Sequence, residues 1–430
     1  MIWTELNIPR GRAMFKVIET FSGIGAQAKA LERIGKPYKI INTCEWDINA
    51  MIAYCQIHKG RINTQKYDKI TDESVDNYLK QLTLSFDGKT KITDRAYNRL
   101  SMELKRVIYA VIKETRNLVS ITDVKGGDVY PGVDLLTYSF PCQDLSLCGC
   151  WHGNKSGISR EAHNRSGMLW EVERILKEMY EQKIELPHFL VMENVTNILS
   201  STHREDFNEW QKTLNILGYY NKIYRLNAKN FGVPQKRERA YMISILLGND
   251  GQKKEWVEKY FEKHNLENRK VAEKVKSRSF KLKDVLRLDY TVEMYKEEAN
   301  ANQPNKTPSR DKIEEENDML FDGKKINEIF VNTVTTKQDR NPNSGLITYR
   351  NWKRGKEKWR YLTPRECFML MGFDEDDYTK AVSYNPVYDG KNCLLTNEKM
   401  TRMAGNSICV DVLEAIFRQI MKLDKKLFKV

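Results

Sequence analysis

Four short segments of this 430-residue chain carry side chains that could do chemistry together. Phe140-Pro141-Cys142-Gln143 sets a thiol just past the apolar run 134–139. Proline fixes φ and turns the chain, so Cys142 projects from the end of that run as a candidate nucleophile. Most cysteines are simply buried, and the tetrad by itself is suggestive at best. Met192-Glu193-Asn194-Val195 ends a second apolar run with a carboxylate. Gln235-Lys236-Arg237-Glu238-Arg239 carries two guanidinium groups two residues apart, on one face if the segment is extended. Singly, such charges are more often surface groups than sites. Phe21-Ser22-Gly23-Ile24-Gly25, with Ala28, spells Gly-x-Gly-x-x-Ala, which lets backbone approach a nucleoside-containing ligand. Glu45 follows about 20 residues later, where a carboxylate accepts hydrogen bonds from ribose hydroxyls. Trp46 offers a face for an adenine or a sulfonium cation, or is a core residue; the two readings are equally supported. These features do not separate NAD from S-adenosylmethionine.

The elements that must hold these groups alternate in type. Phe15–Thr20, Tyr38–Cys44, 134–140, 189–192 and 240–246 have the composition of strands. Helical patterns occupy 27–34, 168–180 and 207–217. Strand, glycine loop, helix, strand is a βαβ unit, so an α/β, doubly wound, Rossmann-like domain is expected. In such sheets chemistry gathers beyond the strand C-termini, which is where the glycine loop, Glu45, Cys142 and Glu193 fall. The domain is expected over 1–250, with a polar insertion at about 60–120. A second, smaller domain is expected over 251–355, and 356–430 returns to the first. The polar stretch 301–316 reads as a linker or mobile loop. Thr363-Pro364-Arg365-Glu366 spells a helix capping box and is expected to organise the fold without touching substrate.

Bulk properties narrow the function. The net charge is +13, which suits a polyanionic partner, nucleic acid above all. There is no apolar run long enough to span a membrane and no apolar leader at the start, so no membrane association and a cytoplasmic location are expected. Eight cysteines without a framework suit a reducing compartment. Cys148-x-Cys150-x-His152 matches no usual zinc spacing and has no second pair, so no metal is expected.

In order, these blocks resemble the DNA cytosine-C5 methyltransferases. The resemblance runs through Phe21-Ser-Gly-Ile-Gly25, Glu45-Trp46, Phe140-Pro-Cys-Gln143, Glu193-Asn-Val195, Gln235-x-Arg-x-Arg239, Pro364-Arg-Glu-Cys367 with Met371-Gly-Phe373, and Gly405-Asn-Ser407. It covers both ends of the chain, and the wording around Cys142 is most like the mollicute CpG enzymes. It implies an S-adenosylmethionine-binding catalytic domain and a DNA target-recognition domain. It also implies methyl transfer to C5 of a cytosine flipped out of duplex DNA, leaving S-adenosylhomocysteine. Cys142 would attack C6, Glu193 would engage N3, Arg239 would contact O2 and Arg237 would support that pocket. Phe21, Ser22, Gly23, Ile24, Gly25, Glu45, Trp46, Asp123, Val124, Pro141, Leu169, Asn406 and Ser407 would hold the cofactor, with Asp128 a rival to Asp123 for the adenine amino group and Asn406-Ser407 at the start of the last helix. Gln143, Ser146, Lys155 and Arg165 would meet DNA, the last three on a glycine-punctuated loop, 146–166, that closes over the base. Gln338, Arg340 and Asn343 would read or replace bases from the loop after Thr333-Val-Thr-Thr336. That loop departs from the mollicute enzymes, so their CG specificity is not carried over. A monomer in a bacterial or phage-infected cell, with or without a companion restriction enzyme, is expected. The rival readings are an RNA cytosine methyltransferase, an NAD-dependent oxidoreductase and a catalytically silent DNA-binding regulator.

Overall fold

The computed structural model describes residues 14–141, 158, 165–340, 343–350, 353–388 and 390–428. A six-stranded sheet organises them. Its strands are β1 (Phe15–Thr20), β2 (Tyr38–Cys44), β3 (Leu135–Tyr138), β4 (Phe189–Val195), β5 (Tyr219–Asn227) and β6 (Glu238–Leu246). The order is β2-β1-β3-β4-β6-β5. β1, β2, β3 and β4 run parallel, and β6 runs against both of its neighbours. The chain goes one way from β1 to β2 and the other way to β3, so the crevice beyond the ends of β1 and β3 is the switch point of the sheet. Reversal of β6 brings its first residues to that same edge. Strands β3 and β4 are covered on both faces, as continuous apolar runs such as Leu-Leu-Thr-Tyr require.

Strand β5 is absent from the sequence expectation. Its residues, Tyr-Tyr-Asn-Lys-Ile-Tyr-Arg-Leu-Asn, are mostly half-exposed, because it is the sheet's edge. Edge strands carry polar and cationic residues that blunt further pairing, and this weakens the apolar alternation that marks a strand. Strands β4 and β6 also run further than expected, to Val195 and from Glu238, which places Glu193 and Arg239 inside the ladder.

The 60–120 insertion is built into the main core. Val75, Leu79, Leu104, Val107, Ile108 and Val111 share one apolar cluster with helix Ile48–Lys59 and the sheet. Residues 257–286, grouped by sequence with the second domain, contribute Val257, Phe261, Leu266, Leu282 and Val285 to that same cluster. A small separate cluster, Ile313, Leu346, Trp359 and Tyr361, lies around the three-stranded sheet of β7 (Met319–Phe321), β8 (Leu346–Thr348) and β9 (Trp359–Arg360). That sheet carries the second unit past residue 355. The stretch 301–316 is not a linker: helix Glu293–Ala301 ends there and helix Pro308–Glu316 follows, with proline at its start. Ile313 is the one buried residue of the second helix, so no apolar stripe marks it in the sequence. The capping box forms as expected. Thr363 Oγ1 accepts from the Glu366 amide, and Glu366 accepts from the Thr363 amide at 2.8 Å. Glu366 is also gripped by both terminal nitrogens of the fully buried Arg360, at 2.8 and 2.9 Å, which ties β9 to helix Pro364–Leu370.

Candidate active site

A cavity of about 310 Å³ opens at the switch point of the sheet. One wall is the loop after β1. Phe21 stands at φ +54°, a conformation a bulky side chain rarely adopts, and lines the cavity with Ser22, Gly23 and Ile24. The Gly23 amide donates to Glu45 Oε2 at 2.9 Å, and the Asp47 amide donates to Oε1 at 2.8 Å. Burial, then the nearby Asp47 charge, raise the Glu45 carboxyl to about 7, against these backbone donors. Asn117, where the insertion returns, clamps the Glu45 backbone through its own amide. Trp46 lines the same wall.

Gly25 is not part of the lining. It caps helix Ala26–Ile34 at φ +81°, and a Cβ there would sit 2.2 Å from His58 Nε2. This glycine serves the packing of that helix against His58. Leu169 is likewise sealed in the core, and its neighbour Met168 lines the cavity instead. Val124 is core too, with its carbonyl bonded by Arg174, and Asp123 is exposed and outside the lining. Ser120, Ile121 and Thr122 take that wall. Asp128 caps its own turn through the Lys125 amide. Asn406 and Ser407 do line the cavity, but from the C-terminal end of helix Asn397–Asn406, not from the start of the last helix, Val410–Leu427.

The opposite wall is the β3–β4–β6 edge. Side chains alternate along strands, so Glu193 and Val195 on β4 face the same way as Tyr241 and Arg239, their partners on β6. Arg239 Nε lies 3.4 Å from Glu193 Oε1. Burial raises the Glu193 carboxyl above its ordinary range; Arg239 and then Arg237 pull it back. The result is a carboxyl that accepts or holds a proton in a wall of the cavity. Pro141 lines the cavity beside it. Asn194 Nδ2 donates to the Phe140 carbonyl at 3.1 Å, pinning the Pro141 turn to β4. Sequence reasoning quoted Asn194 in its motif and gave it no role.

Arg237 is not a loose partner of the pocket. It is buried, donates to the carbonyls of Val334 (3.1 Å), Gly405 (3.1 Å) and Ser407 (2.7 Å), and is lowered to about 10 by burial and then by Arg239. Gln235 Nε2 donates to the Leu370 carbonyl and its Oε1 accepts from the Val334 amide. Together they dock the 331–337 segment on the sheet domain. Gly405 permits this contact, since a Cβ there would lie 2.5 Å from the Thr335 carbonyl oxygen. Thr336 and Lys337 therefore line the cavity, as do Arg402 and the insertion residues Thr83 and Asp87–Lys89. Nothing in the polar wording of 83–89 marked it for a site.

Cys142, Gln143, Ser146 and Lys155 lie outside the described residues, as do the Cys148–His152 motif and the side chain of Arg165. Of the described thiols, Cys44 lines the cavity, yet burial holds it well above its ordinary range. Burial also pushes Cys55 and Cys409 to about 12 and Cys367 higher still. None of these four is a thiolate nucleophile at neutral pH. In the recognition loop, Gln338 and Asn343 are buried and turned inward. Gln338 Nε2 reaches Ser344 Oγ at 3.5 Å, and Asn343 Oδ1 accepts from the Gly345 amide at 2.7 Å. The expectation from sequence has both facing bases; here their amides are occupied within the loop. Arg340 is half-buried, with Nη2 3.1 Å from Thr336 Oγ1.

Comparisons with known proteins place the chain in a family. The family described as C-5 cytosine-specific DNA methylase matches residues 15–88 and 105–422. The chain is 33% identical to the orphan methyltransferase M.SssI of Spiroplasma monobiae, over 94% of this chain and 97% of that protein. It is 29% identical to the type II methyltransferase M2.ScrFI of Lactococcus lactis subsp. cremoris, over 95% and 99%. Among solved structures, the S. pombe Dnmt2 methyltransferase superposes with a TM-score of 0.56 at 17% identity, over 95% of this chain and 98% of that one, a likeness of fold. The chain belongs to the C-5 cytosine-specific DNA methylase family.

Proposed function

We propose that the cavity at the switch point is where this DNA cytosine-5 methyltransferase brings a flipped-out cytosine against S-adenosylmethionine. The observation that carries the reading is the Glu193–Arg239 pair, 3.4 Å apart in one wall, facing a nucleoside-type loop in the other. The residues fit the cofactor. Phe21 offers an aromatic face to adenine, Glu45 presents carboxylate oxygens at the ribose position, and Asn406 and Ser407 complete the far side. When bound, the cofactor supplies an electrophilic methyl group on sulfonium sulfur.

The chain's own residues make C5 nucleophilic. C5 of cytosine is inert toward such a methyl group, and addition of a thiolate to C6 turns the ring into an enamine. Cys142 is the residue for that addition, since it is next in sequence to Pro141, which lines the cavity. Electron density pushed into the ring collects at N3 and O2. A protonated Glu193 hydrogen-bonds or protonates N3, which its raised pKa permits, and Arg239 holds O2. Asn194 keeps the cysteine turn in register with Glu193. Loss of the C5 proton to a base, with departure of the thiolate, restores the ring. In duplex DNA these atoms are stacked, so the base must leave the helix at a cost of a few kcal/mol. The enzyme acts as a monomer, and both a lone modifying role and pairing with an endonuclease suit it. Nothing favours an RNA substrate or NAD.

Duplex DNA carrying 5-fluorocytosine tests this, because fluorine at C5 blocks the elimination. Peptide mass spectrometry should find the adduct on Cys142, and Cys142→Ser should bind DNA yet transfer no methyl. An adduct on Cys393, or full turnover by the serine variant, ends the assignment.

A further inference from the structure

We propose that the insertion supplies a cofactor-binding residue, Lys89, which takes the carboxylate at the amino-acid end of S-adenosylmethionine. The inference rests on the cofactor reading of the cavity. The family's matched residues stop at 88 and resume at 105, so Lys89 opens the segment in which this chain departs from the family pattern.

The turn that carries Lys89 is fixed to the cavity wall. The Ser85 amide donates to the Trp46 carbonyl and the Ile48 amide donates to the Ser85 carbonyl, both at 2.9 Å. Arg402 reinforces the seam, with Nη2 2.7 Å from Asp47 Oδ2 and Nη1 3.0 Å from the Asp87 carbonyl. Within the turn the polar groups are occupied. Asp87 Oδ1 accepts from the amides of Lys89 (2.7 Å) and Thr90 (2.8 Å), and Ser85 Oγ accepts from the Gly88 amide. Backbone donors are therefore consumed internally, and the Arg402 guanidinium is consumed by the seam. Lys89 lines the cavity, and no described residue engages its ammonium. A ligand anion in the cavity can meet a lysine whose turn is bonded to the wall through its backbone. With adenine at Phe21 and ribose at Glu45, the anionic group left over is the amino-acid carboxylate. Lys337 lines the cavity from the recognition segment and is the competing cation.

Calorimetric titration of the full chain with S-adenosylmethionine and with its decarboxylated analogue tests the assignment without turnover. The wild type should prefer the carboxylated cofactor. Lys89→Ala should weaken it by about tenfold, the size of one charge-assisted hydrogen bond, and leave the decarboxylated analogue unchanged. Lys337→Ala should keep the wild-type preference. Equal weakening of both ligands by Lys89→Ala, no weakening of either, or loss of preference on Lys337→Ala instead would overturn the inference. So would weaker duplex binding by Lys89→Ala with cofactor binding intact, which would make Lys89 a phosphate contact. Failure of the wild type to bind either ligand would remove the cofactor reading itself, and this inference with it.

Discussion

The β4–β6 edge and the 333–345 loop both attract attention through polar side chains of the right type, and they use them in opposite ways. On the strands, backbone amides and carbonyls are satisfied by the ladder, so Glu193 and Arg239 are left to face a cavity. Among its described residues the loop pairs in no ladder. Its side chains do that work: Asn343 accepts from the Gly345 amide and Thr335 Oγ1 donates to the Lys337 carbonyl. A polar residue type points to chemistry where the surrounding backbone is already paired; elsewhere it often serves the backbone.

The sharpest way to break this contrast is at Glu193. Glu193→Gln keeps the shape and removes the proton, and kcat should fall by about 10²–10⁴-fold with DNA affinity retained. The pH profile should also change. A raised carboxyl stays protonated to higher pH and loses its proton as pH rises, so the wild-type rate should fall on the alkaline side through the Glu193 titration. That limb should vanish in the glutamine variant. A retained alkaline limb would assign it to another group.

The two arginines of one motif divide along the same line. Arg237→Met leaves two buried carbonyls and a part-buried one without their donor and should lower unfolding stability by about 3–5 kcal/mol in urea melts. Arg239→Met faces the cavity and should cost activity far more than stability. Equal destabilisation by the two would mean that Arg239 is also a structural tie.

The strand-end groups were legible because short apolar runs ending in charged or turn residues are local patterns. Glu45, Glu193 and Arg239 each sit within two residues of a strand end, and the period of two fixed their shared edge. Asp123, Leu169 and Gly25 fall outside the cavity lining, and their chain neighbours Thr122, Met168 and Ile24 fall within it. Whether a residue or its neighbour faces a cavity depends on one turn of backbone that spacing does not reveal. Strand β5 was illegible because an edge strand has too few buried positions to show a period. The role of 83–89 was illegible because its docking rests on Ser85 backbone bonds to Trp46 and Ile48, about 40 residues away, and on Arg402, about 300 residues away, contacts with no local signature.

A buried carboxyl of the sheet sharpens the point on a smaller scale. Glu19 on β1 is fully buried, accepts from Tyr54 Oη at 2.8 Å and is raised to about 7 by burial. Its folded value lies above its unfolded one, so its contribution is present at low pH and lost as pH rises through about 7. Glu19→Gln should therefore be relatively more stable than wild type at pH 8 than at pH 5, by up to about 2 kcal/mol. Thermal melts across that range measure it. A wild-type-like slope in the variant would move the titration elsewhere.

The smallest expected effect is the most direct challenge to the contrast. If Asn343 serves its own loop, Asn343→Ala should lower stability by about 1 kcal/mol and leave the methylated sequence unchanged in bisulfite sequencing of treated DNA. Gln338→Ala should behave alike, since its amide is buried against Ser344. Arg340, bonded among the described residues to Thr336, is the member of the trio that is only half-buried; Arg340→Ala should weaken duplex binding and relax the target profile. A changed profile in the asparagine variant would show that the loop re-opens on DNA and that its inward bonds are a resting state. In that case the difference between strand edge and loop is one of conformational equilibrium, and the polar types in both regions are chosen for contact with the base.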